Sequence, residues 1–219
     1  MGETILVVAD AADAIVADGT VPDSRLEALI NGASSKHALV WQNSVEILQA
    51  LASSGCAVAP AYLALAKHPK GRARFAALCA LSRSMPRSIV DEMLVSGLKD
   101  KNADCRWKAA ETALEFRKRW LLPFMIDVLA RETSEKAKIG IEYAVAHMRD
   151  GYQLKPLTSD RYSLWLQRRG GSISITVTAT ELAEKSIDAI VAGLASRKQS
   201  SVGGEPPEPF EEVRIHGSD

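Results

Sequence analysis

A short pattern that returns at a fixed distance limits what this chain can fold into more than its composition does. Ala73-Arg-Phe-Ala76-Ala77-Leu-Cys-Ala80-Leu81 and Arg106-Trp-Lys-Ala109-Ala110-Glu-Thr-Ala113-Leu114 share Ala, Ala, Ala and Leu at the same four places, at an offset of 33. That period lies in the range of helical repeats, whose units bury an apolar face only by stacking on one another. At an offset of 31 the series runs on into Ile139-Gly140-Ile141-Glu142-Tyr143-Ala144-Val145, and at 30 it runs back to Glu46-Ile47-Leu48-Gln49-Ala50-Leu51. The match weakens outward, as terminal repeats do.

A second set of apolar stripes alternates with these segments: Tyr62, Leu63 and Ala66; Ile89, Val90, Met93, Leu94 and Leu98; Leu121, Leu122, Met125, Val128 and Leu129. Spacings of three and four put each set on one face of a helix. Pro60, Pro86 and Pro123 fall at or near the start of these helices, where a missing N–H costs little. The unit is therefore a helical hairpin, and the small alanines let the next hairpin approach closely.

The run from Leu98 to Leu114 resembles the HEAT-repeat pattern, with Asp100 in the joint, Cys105 where valine is usual, Arg106 after it and the Ala-Ala-x-x-Ala-Leu helix. The resemblance covers about residues 36 to 150 and implies an α-solenoid in which the Asp and the Arg tie adjacent repeats together. The neighbouring units match less well. Gly71 to Leu81 keeps Arg72 and Arg74 but has Pro69 near the place of the Asp, and Glu135 to Val145 has neither the Asp nor the Arg at the matching places.

Four regions follow. Residues 1–35 read as two capping helices, the second opened by a capping box from Ser24 to Glu27 and closed by Asn31-Gly32. Residues 36–158 hold the HEAT-like repeats. In residues 159–198, Tyr162-Ser-Leu164-Trp-Leu166-Gln and Ser172-Ile173-Ser-Ile175-Thr-Val177 alternate with period two around Arg168-Arg169-Gly170-Gly171, the one strand signal in the chain and a β-hairpin. A capping box from Thr178 to Glu181 then opens a helix with Leu182, Ile187, Ile190, Val191 and Leu194 on one face. A lone hairpin is marginal in water, so it should lie against this helix or the last repeat. Residues 199–219, rich in Pro, Gly and Glu, read as a disordered acidic tail. The predicted fold class is mostly α: a short HEAT-like α-α solenoid with a C-terminal β-hairpin plus helix.

Net charge is zero over 219 residues, which excludes a general electrostatic affinity for nucleic acid. The zero conceals a division: residues 1–66 balance to −5, residues 67–138 to +7 and residues 139–219 to −2. Stacking would bring Lys70/Arg72, Lys101/Arg106 and Lys136/Lys138 into a basic row along one edge. Cys56, Cys79 and Cys105 are isolated and read as packed free thiols, and His37, His68, His147 and His216 have no metal-ligand spacing. No nucleophile elbow, phosphate loop or dinucleotide fingerprint is present, so no cofactor, metal or catalytic residue is assigned. Glu3, Asp10 and Asp13 break the pattern of a secretory signal and no stretch is long enough to span a bilayer, so the expected location is the cytoplasm, without membrane contact.

These features point to a non-enzymatic scaffold or adaptor that binds a partner protein through a repeat face, an immunity- or antitoxin-like inhibitor being one form of it. Candidate contact residues are Arg72, Arg74, Arg106, Trp107, Lys108, Arg117, Arg119, Trp120 and Lys136, because Arg and aromatic anchors dominate interface energies. The alternative is nucleic-acid binding through the basic segment 67–138. Less favoured is a HEAT-like DNA glycosylase with Trp107, Trp120 and Asp127 in its site, from which the neutral charge and the terminal hairpin-helix depart.

Overall fold

A computed structural model describes residues 2–18, 23–168, 171–187, 189–190 and 192–193. The chain is mostly helical, with a small three-stranded antiparallel sheet near its C-terminus followed by a helix. It divides into two compact units at Asp150/Gly151.

In the first unit nine α-helices follow in order among the described residues: α1 (Gly2–Asp18), α2 (Asp23–Ala33), α3 (Ala38–Ser53), α4 (Ala59–Ala66), α5 (Gly71–Cys79), α6 (Arg87–Leu98), α7 (Ala103–Glu115), α8 (Leu122–Arg131) and α9 (Glu135–Asp150). Helices α3, α5, α7 and α9 pack side by side in one layer, and α4, α6 and α8 each pack against a member of it. The predicted prolines lie at the helix starts: Pro60 and Pro123 in the first turns of α4 and α8, Pro86 at the N-cap of α6. Ala73, Ala76, Ala77, Ala109, Ala110, Ala113 and Ala144 are all fully covered, so the layer forms because its contact face has no bulk to hold the helices apart. Leu48, Leu65, Leu94, Leu98, Leu121, Met125 and Ile141 fill the space between the layers, each contributing about 1.5–3 kcal/mol by burial.

A buried hydroxyl bridges helices within that core. Tyr62 of α4 is fully buried, and its hydroxyl lies 2.6 Å from the carbonyl of Ala80, the C-cap of α5, and 3.1 Å from that of Leu48 within α3. Tyr62→Phe leaves these carbonyls without that donor, and urea denaturation should show a loss of about 1–2 kcal/mol. Wild-type stability in the variant would mean that the hydroxyl contributes nothing.

The N-terminal helices end differently from expectation. Ser24 lies inside α2, which starts at Asp23, so the helix does not open at Ser24 as expected. Asn31-Gly32 does not close the helix either, since α2 runs on to Ala33. Gly32 serves close approach instead: a Cβ there would meet the side chains of Ser44 and Val8.

The second unit holds β1 (Tyr152–Pro156), β2 (Arg161–Arg168) and β3 (Gly171–Thr178) in the order β1-β2-β3, with Leu164 paired to Leu154 on one side and Ile175 on the other. The β2–β3 hairpin is the predicted one; Arg169 and Gly170 of its turn lie outside the described residues. Strand β1 corrects the reading of a single strand signal and of residues 151–158 as part of the repeats. It is five residues long, and its Pro156 is tolerated because β1 is an edge strand. Leu164, Leu166 and Val177 form the core of this unit, covered by Leu154, Ile175, Leu182, Ile187 and Ile190 among others. The capping box is present: Thr178 and Glu181 bond reciprocally at the start of α10 (Ala179–Glu184). The predicted continuous helix breaks after Glu184, where Lys185 is extended. Val191, Leu194 and the segment 199–219 lie outside the described residues.

Candidate functional site

Side chains leave the α5–α7–α9 layer in two sets. One set is spent inside the stack. Arg74 of α5 reaches Asp100, in the joint before α7, through two parallel bonds of 2.6 and 2.8 Å, and its remaining nitrogen donates to the carbonyls of His68 and Pro69. Arg106 of α7 reaches Glu132, in the joint before α9, through two bonds of 2.7 Å and donates to the Asp100 carbonyl. These rungs are largely covered: the side chains of Arg74 and Asp100 are 11% and 8% exposed, those of Arg106 and Glu132 19% and 0%.

The carboxylates are held ionised. The Arg106 guanidinium brings Glu132 down to about 2 against the opposing effect of burial, helped by the backbone N–H groups of Ser134 and Thr133. Burial pushes Asp100 upward, but Arg74 and the Asn102 N–H outweigh it and leave the group below its ordinary value. Between the rungs, burial raises the Cys105 thiol to about 12, which keeps it protonated and unreactive.

Arg106 follows Arg74 at an offset of 32, as Glu132 follows Asp100. Side-chain equivalence thus runs one position short of the offset given by the alanine match. In this register Glu132 takes the place of the joint acid, so the last unit has its carboxylate after all, as Glu rather than Asp. Asp100 and Arg106 do tie successive hairpins, Asp100 to Arg74 of the preceding helix α5 and Arg106 to Glu132 in the following joint.

The second set stays on the surface of the layer. Trp41 of α3, Phe75 of α5 and Trp107 of α7 form a row with ring centroids 5.9 and 6.4 Å apart and planes inclined by 13° and 26°. Ile139 of α9, which follows Trp107 in the same register, is 53% exposed. Cations stand over both ends: Arg72 lies 5.2 Å from the Trp41 ring centre and Lys136 4.9 Å from that of Trp107. Gly140 leaves room for the Trp107 indole, which an added Cβ would strike at Cδ1 and Nε1. Beside the row a cavity of about 330 Å³ is lined by Trp41, Arg72, Phe75, Asn102 and Asp104. Asn102 is the N-cap of α7 and accepts from the Asp104 N–H.

The expected basic row is broken. Arg72, Asp104 and Lys136 occupy equivalent places in successive units and read plus, minus, plus; Lys136 bonds Asp104 at 2.8 Å. Arg74 and Arg106 are withdrawn into the rungs. Of the predicted contact residues, the fold brings together Arg72, Trp107 and Lys136. Lys108 is mostly covered and paired with Glu111. Arg117, at φ +54, Arg119 and the half-exposed Trp120 lie beyond the other end of α7, in the turn before α8. Asp127 is on α8, paired with Arg131, so Trp107, Trp120 and Asp127 lie on different elements. Sequence reasoning missed Trp41, Phe75, Asn102, Asp104 and Ile139; a register of 32 instead of 33 would have aligned Phe75, Trp107 and Ile139.

Among the described residues no group of His, Cys, Asp or Glu is arranged to hold a metal ion, and no helix is long and apolar enough to cross a membrane. The first unit is thus a stack of helical hairpins with buried ionic rungs and one aromatic face. No family model, curated protein or solved structure matches this chain.

Proposed function

We propose that this chain is a non-enzymatic scaffold of the HEAT-repeat kind that binds a partner protein through the face of α3, α5, α7 and α9. The observation that carries the reading is the row Trp41-Phe75-Trp107-Ile139, an apolar strip left partly open to solvent on four successive helices of a layer that is otherwise closely packed. Aromatic residues rimmed by Arg and Lys are the composition of interface hot spots. The two ionic rungs support a rigid face, which lowers the entropy cost of association.

Capture from lysate of the source cells tests this, with Arg72→Glu and Ile139→Glu as face variants and Val16→Glu on α1, also well exposed, as control. The expected result is a retained protein that nuclease does not remove, that Val16→Glu keeps and that each face variant loses at least tenfold. Retention insensitive to the face variants overturns the reading. Binding through nucleic acid is favoured by the +7 balance of residues 67–138, and predicts affinity that falls steeply with salt. Against it stand Asp104 between Arg72 and Lys136 and the use of Arg74 and Arg106 inside the stack.

A further inference from the structure

We propose that the cavity between Trp41 and Asp104 receives an acidic side chain of the partner, so that the face recognises a segment in which Asp or Glu neighbours an apolar anchor. This rests on the protein-binding reading above and narrows it to one chemical class.

The cavity walls are unequal in what they offer. Arg72 lies over Trp41 and has no carboxylate partner among the described residues. A guanidinium held over a ring by cation–π attraction still has N–H donors that can bind a carboxylate in fork geometry. Asn102 uses its Oδ1 on the Asp104 N–H, and its Nδ2, which lies close against Gly71, has no acceptor among the described residues. Asp104 is the one acid in the lining, and Lys136 already neutralises it. Phe75 and Trp41 supply the cavity's apolar lining. Two donors without acceptors, one of them charged, in a cavity also lined by aromatic rings suit a carboxylate with an apolar neighbour.

Other ligands fit less well. A cationic side chain would face both Arg72 and Lys136, and a run of phosphates would meet Asp104 midway. The ionic rungs are each neutral in themselves and leave the +7 balance of segment 67–138 unchanged, a net charge that favours an acidic partner over a basic one. At about 330 Å³ the cavity has the size of the smallest ligand pockets, room for one or two side chains.

The test is selection of a random twelve-residue phage-displayed peptide library on the full chain, followed by titration of the best synthetic peptide and of a dT20 oligonucleotide, read by tryptophan fluorescence. Expected are peptides enriched in Asp or Glu beside Phe, Trp, Leu or Ile. Their affinity should fall at least tenfold in Arg72→Glu and about threefold to tenfold in Asn102→Asp. Asp caps a helix as well as Asn does, so the second variant should keep the wild-type melting temperature while adding a negative charge to the cavity. Selected peptides that are neutral or basic yet sensitive to Arg72→Glu would overturn the acidic assignment and leave the protein-binding reading standing. If no peptide is enriched while dT20 binds with a steep salt dependence, both fail.

Discussion

Glu132→Ala should destabilise the first unit by about 3–5 kcal/mol at neutral pH, because it strands the largely covered Arg106 guanidinium without its carboxylate. It also removes the acceptor for the backbone N–H groups of Thr133 and Ser134, which open α9. Glu132→Gln keeps the shape and part of the bonding and should cost less, and the double change Arg106→Leu/Glu132→Leu should recover much of the loss, since the desolvation of both charges then disappears. The pH dependence is specific. Glu132 sits at about 2 when folded, below the usual carboxylate range. Its contribution is therefore complete above its unfolded pKa, about 4.3, and is lost as pH falls toward 2, amounting to about 3 kcal/mol in all. Urea denaturation from pH 7 to pH 3 should show the gap between wild type and Glu132→Gln constant above about pH 5 and narrowing below it. A gap that holds its full size at pH 3 would mean that the ionised rung is not what stabilises the joint.

Gly140→Ala should lower the melting temperature, although alanine in a helix interior ordinarily gains about 1 kcal/mol over glycine. The new methyl would overlap the Trp107 indole, and overpacking of this kind costs about 1–3 kcal/mol, enough to reverse the propensity gain. The ring is the flexible partner and must give way. Its displacement breaks the stack with Phe75 and removes the platform under Lys136. The tryptophan emission spectrum should shift, and peptide binding at the face should weaken together with stability. A stabilised variant with unchanged emission would show that the indole has space to spare.

The hairpin order was legible because periodic apolar positions and helix-opening prolines are local signals. Thr178 and Glu181 were legible for the same reason: donor and acceptor are near neighbours along the chain. The rungs were half legible. Arg106 and Asp100 stand out in one segment, but their partners lie 26 residues away, Arg74 on α5 and Glu132 in the next joint, and a Glu in the place of an Asp does not announce itself. The alanine match misled by one position, since small side chains tolerate a slipped register that a bidentate ion pair does not. Phe75 and Trp107 each follow a rung arginine, but the slipped alanine register hides that equivalence, and Trp41 has no such arginine before it. Strand β1 was missed because a short segment ending in proline has little pattern of its own, and the sheet supplies what it lacks.

Each rung joins an arginine to a carboxylate 26 residues later, and the second rung starts one full repeat after the first. A chain from which residues 75–106 were removed would still present Arg74 to an acid at the same separation, now Glu132. The joints are interchangeable parts, so the number of hairpins can grow or shrink by duplication or loss of whole units without any joint being redesigned. The aromatic face has no such freedom: it would shorten by one ring with every unit removed. Under the proposed protein-binding role, each hairpin added or lost changes how much face is presented while leaving the remaining joints intact.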